Sequence, residues 1–414
     1  MRIDALRRSL AMALVLLFVA VFAAAQQPAA SQPAKLRWWK GNTHTHTLWS
    51  DGDAAPEWIA KWYKDKGYNF LVLSDHNLLL EGEKWFPVSD APKSRLTAAR
   101  LLDLEKTFGA AAVTVRGPET KREMRLLTLK ELRGRFEEVD RFHFIQGQEI
   151  TDAWGVKPVH INGINLKEPI APYKKGVDVR ETMNKNVDAV IEQGKRLGMP
   201  VFAHINHPNF GWGLTWEDVA HVANDRFFEV YNGHSGVRNH GDETHESTER
   251  IWDLALVLRL TQLKFGILYG VATDDSHSYF TWGIGQTNPG RGWVMVRSIE
   301  LSGDRIVEAM KRGDFYASSG VLLKDIRVNP KRYEIEIEAV EGVGHKTRFI
   351  GTRTVGGKVG EAGEILFETE ANPATYEYKG DELYIRAVVT STQSHPNPYA
   401  KGDFEVAWTQ PYVR

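Results

Sequence analysis

Phe70-Leu71-Val72-Leu73-Ser74-Asp75-His76-Asn77 is a short apolar run that stops on a cluster of ionisable and polar side chains. Four consecutive apolar residues suit a strand buried on both faces. Polar residues at the carboxyl end of such a strand occupy the place where α/β folds gather their ligand sites. Working outward, further β-like runs lie at 142–145, 200–205, 227–231, 266–272 and 293–296. Amphipathic helical stretches lie between them at 55–66, 187–197, 248–263 and 303–312. Alternation of this kind over 38–322 predicts a parallel α/β sheet or barrel.

One interval breaks the rhythm. Residues 78–141 are rich in charge, with helices expected at 94–107 and 129–139. A stretch this long exceeds an ordinary βα connection and reads as an insertion, a candidate lid over the site. After residue 322 the pattern changes to polar–apolar alternation at 332–339, 364–370 and 382–389, separated by Gly and Asn-Pro turn signals. This predicts a small all-β, sandwich-like domain over 323–414. Its only histidines, His345 and His395, stand in no ligand-like setting.

The bulk composition narrows the function classes. A chain of 414 residues with 42% hydrophobic content is long enough for two units and a sizeable core. A formal net charge of −1 excludes a global basic field for nucleic acid or anionic lipid. With no cysteine, stability must come from the core or from bound metal, and any metal site must use nitrogen and oxygen ligands. Residues 1–25 have the layout of a cleaved secretory signal: Arg2, Arg7 and Arg8, an apolar run from Ala11 to Val21, then Ala23-Ala24-Ala25. That apolar core is shorter than the roughly 20 residues a spanning helix needs. Residues 26–37 read as a flexible leader, no membrane span is expected after the signal is removed, and the protein is expected to be secreted or periplasmic.

The chemistry is carried by a repeated theme. His44 and His46, two residues apart on an extended segment, point to one side and can reach one cation. Asp51 follows in an Asp-Gly turn, and His76 closes the opening stretch. Glu149 ends another run, His160 sits within 158–164, and His204 and His207 lie in Ala203-His204-Ile205-Asn206-His207-Pro208. Asp274, Asp275 and His277 follow the run that ends at Thr273. Any one of these suits a buried, hydrogen-bonded polar residue. Six such clusters, each closing a hydrophobic run, point instead to one polynuclear metal site.

These motifs resemble the PHP (polymerase and histidinol phosphatase) superfamily of metal-dependent phosphoesterases. The matching pieces are H-x-H-T with S-D-G, S-D-H, the strand-ending Glu149, V-H at His160, H-P at His207 and D-x-H at Asp275 and His277, in the family's order over 41–278. The resemblance implies a distorted seven-stranded β/α barrel with two or three divalent cations. It implies that His44, His46, Glu149 and Asp275 hold one cation and that Glu149 bridges to a second completed by His160 and His207. Asp51, His76 and His277 would hold the third. By strand position His204 fits the family's histidine-proline element, by the proline His207 does. Successive faces of a strand oppose each other, so one of the two is a ligand, and the proline favours His207.

Mixed imidazole and carboxylate ligands suit Zn, Mn or Fe without choosing among them. Bound cations bring the pKa of water toward about 7, giving a hydroxide nucleophile near neutral pH. Glu149 and Asp275 are the catalytic carboxylates on this reading, with Asp274 orienting a ligand histidine or handling a proton. His204, Glu229, Asn232 and His234 are candidates to face the substrate, and Arg291 is a candidate anion clamp. The expected activity is phosphoester hydrolysis of a small molecule. The alternatives are carboxyl-ester or carbamate hydrolysis at the same metals, and a metal-stabilised protein that binds a glycan or envelope component.

Overall fold

The computed structural model describes residues 35–413, so the expected signal at 1–25 and residues 26–34 of the leader lie outside the described residues. The chain opens with β1 (Arg37–Asn42), α1 (Pro56–Asp65) and β2 (Phe70–Leu73). The insertion follows with β3 (Trp85–Pro87), α2 (Ala98–Phe108), β4 (Val115–Arg116), β5 (Glu123–Arg125) and α3 (Leu129–Phe136). Next come β6 (His143–Trp154), β7 (Lys157–Ile164), α4 (Val179–Leu197), β8 (Phe202–Ile205), α5 (Trp216–Ala220) and β9 (Phe227–Asn232). They lead to α6 (Thr248–Leu258), β10 (Tyr269–Thr273), β11 (Trp293–Ser298), α7 (Gly303–Arg312) and β12 (Phe315–Ser318). The remainder is strand: β13 (Leu323–Val328), β14 (Arg332–Ile337), β15 (His345–Val355), β16 (Lys358–Val359), β17 (Glu364–Thr369), β18 (Ala374–Glu377), β19 (Glu382–Ser394) and β20 (Phe404–Thr409).

Local chemistry explains the elements that position the site. All four residues of β2 are buried, as its unbroken apolar run requires. Helix α4 starts where the Asp178 side chain accepts from the Glu181 N–H, and stops at Gly198, whose left-handed φ of 64° a side chain would resist. Helix α7 buries Ile306, Val307, Ala309 and Met310 at helical spacing.

One fourteen-stranded mixed sheet runs through the molecule in the order β10-β9-β8-β7-β6-β2-β1-β11-β12-β20-β19-β15-β16, with β17 on β15. The pairs β1–β2, β2–β6, β8–β9 and β9–β10 are parallel. The alternating sequence suggested parallel pairing throughout, but β6 and β7 form an antiparallel hairpin. Only Gly155 and Val156 separate them, and a two-residue turn joins antiparallel strands alone. At the carboxyl ends, a parallel bridge between Thr45 and Ser276 ties the segment after β1 to the segment after β10. The His46 N–H donates to Ser276 O at 3.1 Å and the Asp275 N–H to His44 O at 3.0 Å.

Strand periodicity sets the site on its apolar bed. Phe70, Val72, Ile145, Phe202, Phe227 and Val271 pack together over α7. Two residues further along the same strand faces stand His204, Glu229 and Thr273, and four residues beyond Ile145 stands Glu149. Leu71 and Leu73, on the opposite face, join α1 and the insertion. The insertion braces the loop that carries Asp51. Trp49 Nε1 donates to Leu127 O at 2.9 Å, Arg95 Nη1 to Ser50 O at 2.6 Å, and Lys84 Nζ to Trp49 O.

The β-rich end shares its sheet with the α/β part, because β20 pairs antiparallel with β12 across the expected boundary at 322. Strands β14, β15, β18, β19 and β20 contribute to one apolar cluster with Tyr316. The junction also holds a buried ion pair: Arg386 donates to both carboxylate oxygens of Asp253 at 2.8 and 2.7 Å, and Tyr384 Oη donates to Oδ1 at 2.8 Å. Gln410 imitates a strand against the free edge of β10, accepting from Gly270 N at 3.0 Å and donating to Gly270 O at 2.8 Å. An uncovered edge strand invites foreign pairing, and this amide covers it.

Glu57, in the first turn of α1, is 2% exposed, and its Oε2 meets no hydrogen-bond donor. Burial pushes its pKa up from 4.5 to about 7. Across that window the folded state retains a proton that the unfolded chain releases, so stability falls as pH rises and levels off above the window. Glu57→Gln should abolish this slope and stabilise the fold above neutral pH by up to about 3 kcal/mol. Urea midpoints of both forms across the window, with chelator present throughout, will check it; parallel curves would refute it.

Candidate metal centre

The site begins where β1 ends. Asn42 Oδ1 accepts from the His44 N–H at 2.9 Å and turns the chain so that His44 and His46 converge. Their Nε2 atoms are 3.1 Å apart and stand 3.2 and 3.1 Å from Asp275 Oδ1. The turn to Asp51 is fixed by buried Asp75, which accepts from Thr47 N and Oγ1 at 2.9 Å each and from Ser50 Oγ at 2.5 Å. Gly52 closes this turn because a Cβ there would lie 2.5 Å from His46 O.

Glu149 is the hub. Oε1 lies 3.5 Å from His44 Nε2, 3.1 Å from His160 Nδ1 and 3.4 Å from His207 Nε2. Oε2 lies 3.5 Å from His46 Nε2 and 2.7 Å from His76 Nδ1. Asp51 draws in the remaining histidines: Oδ1 is 3.3 Å from His277 Nε2, and Oδ2 is 3.3 Å from His76 Nε2. Donor atoms within 4.8 Å of one another form three sets: His44 with His46 and Asp275, His44 with Glu149 and His207, and His46 with Asp51, His76 and His277. The structure therefore brings together all nine residues marked in the sequence. His44 and His46 each belong to two sets, and His160 joins through Glu149.

The donor chemistry fits divalent cations. Six imidazoles and three carboxylates converge, and among the described residues no lysine or arginine pairs with Glu149, Asp275 or Asp51. Glu149 Oε2 is buried and accepts no hydrogen bond, because the nearby His76 Nδ1 is turned to Thr151 Oγ1 at 2.5 Å. Two of the nine residues hold left-handed backbone, His207 at φ 23° and Asp275 at φ 47°. Strain of this kind collects where a site is built.

Without a cation the carboxylates and imidazoles must neutralise each other. Burial opposes charge on His76, but Glu149 and Asp51 outweigh it and push its pKa up to about 11. Burial likewise opposes charge on His44, His207 and His277, and neighbouring carboxylates raise all three. His46 goes the other way: burial, joined by His277 and His76, pushes it down to about 3.

Behind the cluster the structure corrects several expectations. Glu229 faces no substrate. It is fully buried and accepts from Thr273 Oγ1, Asn232 Nδ2 and His207 N at 2.8, 2.8 and 2.7 Å, with Oε1 2.7 Å from His44 Nδ1. Asn232 is buried too, spanning Glu229 and Asp275 Oδ2 at 3.1 Å. Arg291 is no anion clamp: its guanidinium donates to the carbonyls of Gly233, Gln286, Gly283 and Asn397 and is consumed by them. Asp274 points away from the cluster, accepting from Tyr63 Oη at 2.7 Å and from the N–H groups of Arg291 and Gly292 at 2.7 and 2.9 Å. His204 is buried with Nδ1 3.8 Å from Glu229, one alternation behind the cluster, while His207 reaches Glu149. His234 alone of the substrate candidates lies beside the cluster with partial exposure, its ring 5.3 Å from that of His277.

Polarity at a strand end did not reveal which way these side chains point. For Glu229 the signal was present in its two-residue offset from buried Phe227, which sets it inside the sheet. Asn206 was missed altogether. Its Nδ2 donates to Glu149 Oε1 at 2.8 Å and to Asn162 Oδ1 at 2.9 Å, and an asparagine beside a proline element carries no distinguishing pattern.

Ligand imidazoles must be unprotonated to bind metal, so uptake will release protons and tighten as pH rises. Calorimetry of metal binding in buffers of different ionisation enthalpy will read that release; heats independent of buffer would contradict it. Glu229→Gln removes the charge behind His44 and is expected to weaken metal binding by roughly 10–100-fold with the fold retained, checked by competition with a chelator.

No family description and no curated protein matches the chain. Among solved structures it is similar to a two-domain protein of Bacteroides vulgatus containing a predicted PHP-like metal-dependent phosphoesterase. The identity is 15%, the match covers 94% of this chain and 99% of that one, and the TM-score is 0.41. A metal-dependent phosphoesterase structure from Bifidobacterium adolescentis matches at 12% identity over 59% of this chain and 90% of that one, with a TM-score of 0.31. An amidohydrolase of Chromobacterium violaceum, with bound sulfate and no metal, matches at 14% identity over 57% and 87%, with a TM-score of 0.29.

Proposed function

We propose that the chain is an exported hydrolase that cleaves phosphoester bonds of small molecules with two or three divalent cations. The observation that carries this reading is the Glu149 carboxylate, with donor nitrogens of His44, His46, His76, His160 and His207 at 3.5 Å or less and, among the described residues, no lysine or arginine to neutralise it. The resemblance of the motifs to the PHP superfamily supports it. So does the seven-strand run from β10 to β1, whose ends meet at Thr45 and Ser276 as in a distorted β/α barrel. Export rests on the layout of residues 1–25.

His44, His46, Asp51, His76, Glu149, His160, His207, Asp275 and His277 would hold the cations. Bound there, they would supply an activated water and Lewis-acid polarisation of the scissile group. The chain itself does the positioning. Glu229 fixes the His44 ring through Nδ1, leaving Nε2 toward Asp275. Asn232 and Asn206 steady Asp275 and Glu149. His234 accepts the Gly236 N–H on Nδ1 at 3.0 Å, so its neutral ring carries the proton on Nε2 as a donor for a substrate oxygen. The side chains of Asp51 and His76 are 53% and 26% exposed, which opens the cluster to solvent and favours catalysis over a closed structural site.

One observation keeps a second reading alive. With Arg291 consumed by carbonyls, no guanidinium among the described residues is placed for a phosphate, and the same site would serve a carboxyl ester or carbamate.

Elemental analysis of the purified protein should return two or three equivalents of metal. Chromogenic phosphoesters should be hydrolysed faster than carboxyl esters, and His46→Ala and Asp275→Ala should lose at least 100-fold in rate, of the order expected when metal-assisted catalysis is removed. A folded, metal-free and inactive wild type would overturn the proposal, and a preference for carboxyl esters would select the second reading.

A further inference from the structure

A groove of about 620 Å³ opens directly beside the metal cluster, with His160 in its wall. That volume lies within the range of small-molecule sites, which commonly pair an apolar wall with a few placed polar groups. Pro158 and Phe210 supply the apolar wall, and Val156, 97% exposed at the tip of the β6–β7 hairpin, stands at the rim. The Phe210 ring lies 5.1 Å from His207, 6.0 Å from His160 and 5.8 Å from His234, so it adjoins three histidines in and beside the cluster. The groove also contains a lysine, Lys174.

The backbone at Lys174 is built rather than incidental. It sits in left-handed conformation at φ 54°, a state that resists an ordinary side chain. Its N–H is held at 3.0 Å by Asp152 Oδ2, which also accepts from Asn186 Nδ2 at 2.9 Å on α4. Asp152 is 6% exposed and lies in the groove wall itself. A buried carboxylate thus fixes the loop that carries Lys174, and no ion pair engages the ammonium among the described residues.

We propose that this groove is the subsite for the part of the substrate beyond the scissile bond, and that it takes an apolar or aromatic body ending in an anionic group. Phe210 and Pro158 cover the body, and Lys174 meets the anion. The inference rests on the hydrolase reading above and names its substrate class. It also accounts for the fate of Arg291: the cation that reads the substrate is supplied by the loop after β7 and not by the loop before β11.

The test uses metal-loaded full-length protein and measures binding and turnover separately. Calorimetry compares methylphosphonate, phenylphosphonate and 4-carboxyphenylphosphonate, and kinetics compare the corresponding phosphate monoesters. Wild type should prefer the carboxylated aryl ligand over the plain one by about tenfold, the size of one charge-assisted hydrogen bond. Lys174→Met should bring that preference toward unity, Lys174→Arg should keep it, and Phe210→Ala should remove the preference of aryl over methyl. A preference that survives in Lys174→Met, or is absent from wild type, overturns the inference. Binding that depends on Lys174 without hydrolysis of any phosphate ester would sink the phosphoesterase reading and leave the subsite standing. Hydrolysis indifferent to Lys174 would do the reverse.

Discussion

A single buried carboxylate organises this protein. Glu149, 1% exposed, would be intolerable in an apolar interior without partners, since an isolated ion carries a large desolvation cost. Its partners are imidazoles from the strands on both sides of β6: His44 and His46 after β1, His76 after β2, His160 on β7 and His207 after β8. The ends of β1, β2 and β8 and the interiors of β6 and β7 must therefore meet at one level. Val72 and Ile145, four positions before His76 and Glu149, and Phe202, five before His207, set that level by packing over α7. The fold below is the means by which one charge is kept in company.

The same constraint explains why the supporting residues are polar and buried. Glu229, Asn232, Asn206 and Asn162 are all essentially inaccessible, and each makes at least one hydrogen bond to a cluster residue or to another of the four. A ring nitrogen that is to face a cation must have its other nitrogen occupied, and Glu229 does this for His44. Left-handed backbone at His207 and Asp275 is tolerated because hydrogen bonds to Glu229 and His44 O hold it.

Much of this was legible before any coordinates. The run Phe70–Leu73 and the helix Gly303–Arg312 stand where their patterns put them, because continuous burial and helical spacing are strong local signals. Seven of the nine convergent residues were legible for a related reason, because they follow apolar runs whose ends are near in space; Glu149, expected at a strand end, lies inside β6, and His160 lies inside β7. Direction was not legible. The β6–β7 hairpin looked like another step in a parallel series, since an eight-residue strand carries no mark of its polarity. Arg291 looked like a site residue because a guanidinium matches an anion, and Asp274 because it adjoins Asp275, yet their partners are carbonyls and N–H groups of neighbouring loops. Non-local pairing of that kind leaves no trace in spacing.

The pairing of β12 with β20, and of Gly270 with Gln410, also has a consequence in time. Strand β12 ends at Ser318 and β20 begins at Phe404, so the sheet that carries every cluster residue stays open at one edge until more than eighty further residues have been made. Loop-closure entropy must be met before such distant contacts give any return, which makes this topology slow to complete. A chain emerging from the ribosome therefore presents every cluster residue before the strand that covers the edge of β12 has been made.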